Sequence, residues 1–289
     1  MASYSLQWFI DSKDEGKTIK QFLSEQYISR RQLTDIKFSG GRILVNGREE
    51  NVLYHLRSGD SLDIIFPPEK SSETLIGEDI ALDIRYEDSD ILVIEKPPFM
   101  NTIPSKEHPK GSLANAIIGY YQNKLIEATV HIVTRLDRNT SGLVLVAKHR
   151  YMHHLLSQMQ QKRQIKRTYE ALVSGVMGNR SGTIDAPIGR KDTSIIEREV
   201  RADGQSARTN FEMLKQYKDY CHLKIWLDTG RTHQIRVHMS YIGHPLLGDE
   251  LYGGDISKYN RQALHCSQLE FCHPISKQQF IFHSKFPFD

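Results

Sequence analysis

The chain has 289 residues, 39% of them hydrophobic, and a formal net charge of +3, so it is long enough for two domains and its total charge favours no class of partner. No apolar run approaches the roughly 20 residues of a membrane span, and the N-terminus lacks the pattern of a secretory signal, so we expect a cytoplasmic protein. Three cysteines without a CxxC pair indicate neither a disulfide framework nor a structural zinc site.

Residues 1–68 have the pattern of two helices followed by strands. The segment GKTIKQFLSEQY carries its apolar residues at helical spacing, and Ser29 is a good N-cap for a second helix that contains SRRQL. The strand RILV follows, then the turn at Asn46 and Gly47, and then SLDIIF, whose apolar residues alternate as in a half-buried strand. We therefore expect a small helix-and-strand domain.

The polar, proline-containing stretch after this domain predicts a linker at 69–79, crossed by few contacts, and a second domain at 80–289. The second domain is predicted to contain the strands DILVIEK, LVLVAK, TYEALVSG and CHLKIWLD. Its predicted helices are RYMHHLLSQMQQ and THQIRVHMSYIG. Because strands and helices follow no regular βαβ order, the pattern favours an α+β fold over a doubly wound parallel sheet.

Two stretches of the chain are basic. Five basic residues and a single acid, Asp35, lie between positions 28 and 48; the basic residues are Arg30, Arg31, Lys37, Arg42 and Arg48. Six basic residues and no acid lie between positions 148 and 169; they are Lys148, Arg150, Lys162, Arg163, Lys166 and Arg167. Such clusters suit RNA phosphates, and we expect contacts from Arg30, Arg31, Lys37, Lys166 and Arg167. The alternative is a solvated helix face in each case.

The segment RLDRNTSGL, residues 135–143, places one carboxylate between two arginines just before a buried strand. Asp137 would stay ionised beside these cations, and Arg135 and Arg138 would be available to a polyanion. The alternative is a structural turn in which Asp137 bonds the nearby backbone.

This segment resembles the signature of the RluA-type pseudouridine synthases. Three more strings match that family in its order, namely Lys96 and Pro97 after DILVIEK, Tyr169 in KRTYEALVSG, and TGRTHQIRVHMSYIGHPLLGDELYG at 229–253. The resemblance extends from about 83 to 285. One departure is Thr134, where many members have histidine; it bears on the substrate subgroup rather than on the chemistry. The order of parts in residues 1–68 is similar to the S4-like RNA-binding domain.

The resemblance implies a fold and a reaction. The fold is α+β, with a mixed, mainly antiparallel central sheet and a small N-terminal S4-like domain. The enzyme would isomerise uridine to pseudouridine in structured RNA, with Asp137 as nucleophile or base and with no cofactor or metal. Arg236 would keep Asp137 ionised through a bidentate contact, and Tyr169 would stack on the detached uracil and handle its proton. Arg135 would fill the space that the flipped base leaves, and Leu264 would line the pocket.

The expected partner is structured RNA, with large-subunit ribosomal RNA as the first choice and transfer RNA as the nearest alternative, bound by a monomer that needs no protein partner. A non-catalytic RNA-binding or ribosome-assembly factor is the alternative from another class. A metal-dependent hydrolase is disfavoured, because His233 and His238 are five positions apart. His149 and His153 lack the glutamate of an HExxH motif and are interpreted as surface residues.

Overall fold

Two main β-sheets of different size organise the chain in a computed structural model that describes residues 4–69, 75–126 and 128–288. The smaller sheet belongs to the first region and is antiparallel, with the strand order β1-β4-β2-β3. Its strands are β1 (Ser5–Phe9), β2 (Arg42–Val45), β3 (Arg48–Glu49) and β4 (Ser61–Ile65), accompanied by the helices α1 (Ile19–Glu25) and α2 (Arg30–Phe38).

Local sequence explains most of this region. Each helix begins with a capping box, and the one at α2 joins Ser29 to Gln32 as the N-cap serine predicts. Asn46 and Gly47 both have positive φ, 52° and 78°, which gives the tight turn expected between β2 and β3. The strand β1 was not predicted, because none of its five residues is buried and its sequence therefore carries no clear burial signal.

The larger sheet has ten strands, eight of them in the order β10-β13-β14-β9-β15-β8-β6-β5, with β7 paired to β8 and β16 to β15. Only β8 with β15 is parallel among the described strand pairs, so the mixed, mainly antiparallel sheet is confirmed. The ten strands of this sheet are β5 (Asp83–Glu87), β6 (Ile91–Lys96), β7 (His131–Ile132), β8 (Ser141–Ala147), β9 (Lys166–Ser174), β10 (Ser181–Asp185), β13 (Arg208–Gln216), β14 (Tyr220–Leu227), β15 (Leu264–Cys272) and β16 (Gln279–His283). Two further strands, β11 (Ile188–Arg190) and β12 (Arg198–Val200), form a separate two-stranded sheet.

Three helices and a short 3-10 turn accompany this sheet: α3 (Leu113–Asn123), α4 (Arg150–Gln161), α5 (Gln234–Tyr241) and the turn Glu250–Tyr252. The helices α4 and α5 fall where the sequence predicts them. The helix α3 was not predicted; eight of its eleven residues are buried, so it lacks the polar face that makes a helix recognisable. No helix in the described ranges is long and apolar enough to cross a membrane.

Strand register places several conspicuous residues of the sequence at one level of the sheet. Lys96 at the end of β6 pairs with Gly142 of β8, Gly142 pairs with Cys266 of β15, and Cys266 pairs with Tyr169 of β9. Gly142 has a φ of 114°, and a Cβ there would collide with the carbonyl oxygen of Cys266, so only glycine lets β8 approach β15 this closely. The loop that enters β8, which carries Asp137, therefore lies beside β15 and β9.

The first region packs against α4, which contradicts the expectation that few contacts cross the linker. Tyr151 and Leu155 of α4 are buried within the apolar core of the first region. The Tyr151 hydroxyl also donates to the carbonyl of Gln26 (2.8 Å), and the ring of Tyr4 stacks on His149 with centroids 3.6 Å apart. The polar linker gave no sign of this interface, because the contacts come from residues far apart in the chain. Residues 70–74 of the predicted linker lie outside the described ranges.

Candidate active site

A cleft of about 560 Å³ opens at the end of the large sheet where Asp137 lies. Six of the residues singled out in the sequence line this one cleft: Arg135, Asp137, Arg167, Tyr169, Arg236 and Leu264. They come from the loop before β8, from β9, from α5 and from β15. Arg138 also lines it. Four other predicted RNA contacts do not: Arg30, Arg31 and Lys37 are exposed in α2, and Lys166 is paired with Glu270 at 3.0 Å.

The loop around Asp137 is fixed by hydrogen bonds from other parts of the chain. The hydroxyl of Thr102 donates to the carbonyl of Leu136 (2.7 Å) and accepts from its N–H (3.2 Å). Arg261 donates to the carbonyl of Asn139 at 3.0 Å. These partners bind the backbone on both sides of the carboxylate, so its position is set before any substrate enters.

Lys96, the lysine of the Lys-Pro match, has no exposed surface and contributes to the same support. Its Nζ donates to the carbonyls of Pro97 (2.8 Å), Met100 (2.8 Å) and Arg138 (3.2 Å). Burial lowers the pKa of Lys96 to about 7, and the nearby carboxylate of Asp137 opposes that shift. Three donated hydrogen bonds need three N–H groups, which the ammonium form provides. Lys96 therefore anchors the loop from beneath and does not line the cleft.

Arg236 contacts Asp137, but the expected bidentate contact is wrong. Its Nη1 lies 3.6 Å from Oδ2 of Asp137, whereas its Nε and Nη2 donate to the two oxygens of Asp249 at 2.7 and 2.8 Å. Asp249 is 1% exposed. The guanidinium also lies over the ring of Tyr252, 4.8 Å from its centroid. Burial lowers the pKa of Arg236, but the bonds to Asp249 outweigh it and the net shift is upward. The arginine is thus held by Asp249 and offers one nitrogen to Asp137.

Sequence reasoning missed Asp249 and Tyr252, although both lie in the string GDELYG that carried the resemblance. The available signal was the pair of acids, Asp249 and Glu250, in an otherwise apolar and glycine-rich string close behind α5. A buried carboxylate requires a cation or several donors, and Arg236 is the cation that satisfies it.

Tyr169 forms a wall of the cleft and is 4% exposed. Its hydroxyl accepts a hydrogen bond from Nη1 of Arg167 at 3.0 Å, and the guanidinium carbon of that arginine is 5.9 Å from the ring centroid. Burial raises the pKa of the Tyr169 phenol above its usual range, and the charge of Arg167 opposes this. The phenol therefore stays protonated at neutral pH.

Fewer cations of the second basic stretch are available to RNA than its sequence indicates. Three of its six cations are neutralised by acids that are distant in the chain: Lys148 by Glu87 (2.8 Å), Arg150 by Asp35 (2.7 Å) and Lys166 by Glu270 (3.0 Å). Lys162 and Arg163 are exposed. The absence of acids within the stretch was a poor guide, because ion pairs form between segments.

Two other sequence interpretations concern residues away from the cleft. Thr134 is fully buried and its hydroxyl accepts from the N–H of Leu145 (2.9 Å), so this departure from the family pattern does not alter the cleft wall. His149 is 8% exposed and lies 2.9 Å from Asp90, which makes its interpretation as a surface residue wrong.

One group in the described ranges has the spacing of a metal site: Asp88, Asp90 and His273. Nδ1 of His273 is within 3.3 Å of the N–H groups of Ile275 and Ser276, so it acts as the acceptor and the ring hydrogen lies on Nε2. A metal ion would need a free lone pair on Nε2, which carries the ring hydrogen instead, so these residues do not fit a metal ion.

Comparisons with known proteins agree on one family. The sequence profile described as RNA pseudouridylate synthase matches residues 90–241. The chain is 53% identical to an uncharacterised RNA pseudouridine synthase of Bacillus subtilis, over 94% of this chain and 96% of that protein. It is 36% identical to ribosomal large subunit pseudouridine synthase D of Yersinia pestis, over 95% of this chain and 89% of that protein. The structure of human RNA pseudouridylate synthase domain containing 1 superposes with a TM-score of 0.61 at 24% identity, covering 74% of this chain and 86% of that one, and shares the fold.

Proposed function

The chain belongs to the RNA pseudouridylate synthase family, and from that premise we propose that the cleft around Asp137 isomerises uridines of large-subunit ribosomal RNA. The ribosomal target is supported by several relatives named ribosomal large subunit pseudouridine synthase D, at 34 to 36% identity over most of this chain. Transfer RNA remains the alternative substrate. We further propose that the enzyme acts as a monomer in the cytoplasm.

The reaction replaces one bond from the ribose by another. The bond from ribose C1′ to uracil N1 breaks, the base turns, and C1′ joins C5 of the uracil. The hydrogen of C5 leaves as a proton and N1 takes one up, so atoms and charge balance without an oxidant, a reductant or a phosphate donor. A carboxylate suits this chemistry, because it can attack as a nucleophile or accept a proton.

The contact of Arg236 with Asp137 is the observation that carries this assignment. A bidentate guanidinium would occupy both oxygens of the carboxylate. Because the two-pronged contact is made to Asp249, Asp137 receives one nitrogen at 3.6 Å and keeps 27% of its side chain exposed to the cleft. Arg236 thus supplies positive charge close by while Oδ1 stays available for the reaction.

Tyr169 and Arg135 have complementary roles in handling the base. The neutral phenol of Tyr169, held by Arg167, presents a flat apolar wall on which a detached uracil can stack. Arg135 is exposed at the cleft beside Asp137, where it can occupy the space that the base leaves in the RNA. Leu264 closes the pocket from β15.

The first region contributes an RNA-contacting surface, the α2 patch, formed by Arg30, Arg31 and Lys37. All three side chains are exposed, and no ion pair neutralises any of them within the described ranges. The helix α2 lies beside α4, which joins the first region to the catalytic region, since Asp35 of α2 pairs with Arg150 of α4 at 2.7 Å and both helices bury side chains in one core. The unpaired cations of the α2 patch can bind RNA phosphates directly, whereas Lys166 must first break its ion pair with Glu270.

The proposed substrate is tested by mapping pseudouridines across all RNAs of a strain that lacks the gene, of wild type, and of a strain complemented with Asp137→Asn. We expect one or a few large-subunit ribosomal positions to remain uridine in the deletion and in the Asp137→Asn strain. Loss at transfer RNA positions instead would identify the alternative substrate. An unchanged map with altered ribosome assembly would support the non-catalytic factor.

A further inference from the structure

His233 is an unusual residue in the wall of the cleft. It precedes α5 with a φ of 57°, in the left-handed region that residues other than glycine seldom adopt. Its side chain is half-buried, lines the cleft together with Asp137 and Tyr169, and makes no capping bond to α5. Uncommon backbone conformations persist where the surrounding structure enforces them, and they cluster at functional sites.

A contact with Tyr252 defines which ring nitrogen of His233 carries the hydrogen. Nδ1 of His233 lies 2.8 Å from the Tyr252 hydroxyl, and that hydroxyl accepts from the N–H of Arg198 at 3.0 Å. The hydroxyl has one hydrogen to donate, and Nδ1 is the acceptor within reach among the described residues. Nδ1 therefore carries the lone pair, and in the neutral ring the hydrogen is on Nε2.

Burial, more than the surrounding charges, keeps the ring of His233 neutral. Burial lowers the pKa of His233, and the positive charges of Arg236 and Arg198 act in the same direction. The carboxylates of Asp137 and Asp249 oppose these effects, but the net shift is downward. At neutral pH the imidazole thus presents an uncharged N–H, with no protein acceptor for it in the described ranges.

The reaction needs a donor of this kind in two orientations of the base. Once the bond from C1′ to N1 breaks, uracil carries negative charge that is shared by N1 and the carbonyl oxygens O2 and O4. Turning the ring about the axis through N3 and C6 exchanges C5 with N1, and it also exchanges the C2 and C4 carbonyls. A donor fixed in the cleft wall therefore meets a carbonyl oxygen before the turn and after it.

We propose that His233 contacts the substrate and donates its Nε2–H to a uracil carbonyl oxygen, and that Tyr252 is the positioning residue that maintains this tautomer. The donor stabilises the detached, anionic uracil and keeps it within the cleft while it turns. No proton is transferred from His233. The proposal rests on the assignment of the cleft around Asp137 as the site of reaction.

Two substitutions of His233 separate this role from a structural one. The amide nitrogen of glutamine can reach the place of Nε2, so His233→Gln keeps the outward donor and loses the acceptor for Tyr252. His233→Asn places its carbonyl near Nδ1, keeps the acceptor and loses the outward donor. Asparagine also tolerates a positive φ better than glutamine does, so it is the better replacement if His233 serves only the backbone.

The experiment measures single-turnover release of tritium from an in vitro transcript of the host's large-subunit ribosomal RNA labelled at C5 of uridine, with enzyme in excess. We expect His233→Asn to lose about 100-fold in rate and His233→Gln less than about tenfold, as for other single donors to a developing anion, with unchanged RNA affinity in both. Equal losses in the two folded variants, or a larger loss in His233→Gln, would overturn the proposal.

A double-mutant cycle tests the role of Tyr252. Tyr252→Phe should slow wild type severalfold and should have no further effect in His233→Gln, which no longer has a tautomer to maintain. Equal effects of Tyr252→Phe in both backgrounds would mean that the hydroxyl acts only through its hydrogen bond with Arg198 and does not position His233. Asp137→Asn is measured in parallel: if it retains activity on the same transcript, the assignment of the cleft fails, which is distinct from failure at His233.

Discussion

The cations of the cleft and those of the α2 patch are held in opposite ways. Arg236 is buried, with two of its nitrogens bound to Asp249 and the third 3.6 Å from Asp137. The three side chains of the α2 patch are exposed, with no acid paired to them in the described parts of the chain. The first arrangement fixes a direction, and the second leaves charge available to a polyanion.

This contrast teaches how each region responds to substitution. An arginine whose charge is already satisfied works through its shape, so lysine cannot replace it. An exposed arginine that meets phosphates works through its charge, so lysine replaces it well. The four predictions below test this difference, from the largest expected effect to the smallest.

Arg236→Lys should lower the single-turnover rate by about 100-fold or more, because one ammonium cannot make the fork to Asp249 and also reach Asp137. RNA affinity should stay within a few-fold of wild type. The matched control is Arg30→Lys, which should leave both quantities unchanged. A wild-type rate in Arg236→Lys would show that charge alone is required in the cleft.

Asp249→Asn should reduce the single-turnover rate by about tenfold or more. Without the Asp249 carboxylate, the guanidinium of Arg236 would make its bidentate contact to Asp137 and occupy both oxygens. It should also lower the free energy of unfolding by about 3 kcal/mol, the usual range when one partner of a buried ion pair is removed. Single-turnover rates and denaturant unfolding of the same preparation measure the two effects. If stability falls and the rate does not, Asp249 supports the fold without directing Arg236.

Removing residues 1–69 should destabilise the remainder of the chain, because Tyr151 and Leu155 lose the core that buries them. Exposing two large side chains of this type costs roughly 3 to 6 kcal/mol, which is an upper estimate because the unfolded chain already buries part of its apolar surface. The free energy of unfolding of the truncated chain, compared with that of the full chain, measures the loss. Truncation exposes Leu155, so the truncated chain carrying Leu155→Gln should be more soluble than the truncated chain without it. A truncated chain as stable as the full one would mean that the interface contributes nothing.

Arg30→Gln should reduce the slope of log affinity against log salt by about 0.7 to 0.9, the value of one phosphate contact. Lys166→Gln is the matched control; its cation is already bound to Glu270, so we expect a smaller change. Binding titrations of one ribosomal RNA fragment at several salt concentrations give both slopes. A larger change in Lys166→Gln would reverse the proposed division between available and neutralised cations.

The sequence predicted those features of the structure that have a local pattern of residues as their cause. The α4 helix and the buried strands β6 and β8 have strong periodicity or continuous apolar runs, and the structure places them as predicted. The helix α3 and the strand β1 lack such patterns and were missed. The resemblance singled out five cleft residues and the basic stretch a sixth, Arg167, and the six meet in one cleft. The pairing of side chains was beyond it: acids lie close behind α5, but the sequence does not show that Asp249, rather than Asp137, accepts the bidentate contact of Arg236.

The same limit explains the error about the interface. The polarity of a linker shows only that the linker itself is solvated. The apolar contacts of Tyr151 with the first region come from α4, which begins about 70 positions further along the chain. Similarly, a stretch without acids looked unpaired until the fold brought Glu87, Asp35 and Glu270 to it.

The most direct test of the central claim is the Asp137→Asn variant, assayed for single-turnover tritium release and for RNA affinity on the same ribosomal transcript. Asparagine keeps the size of the side chain and removes the nucleophile and its charge. We predict that the rate falls by at least about 1,000-fold while the affinity changes by less than about tenfold, since the phosphate contacts remain. A variant that still converts uridine at a tenth of the wild-type rate would contradict the assignment of Asp137 as the reacting carboxylate.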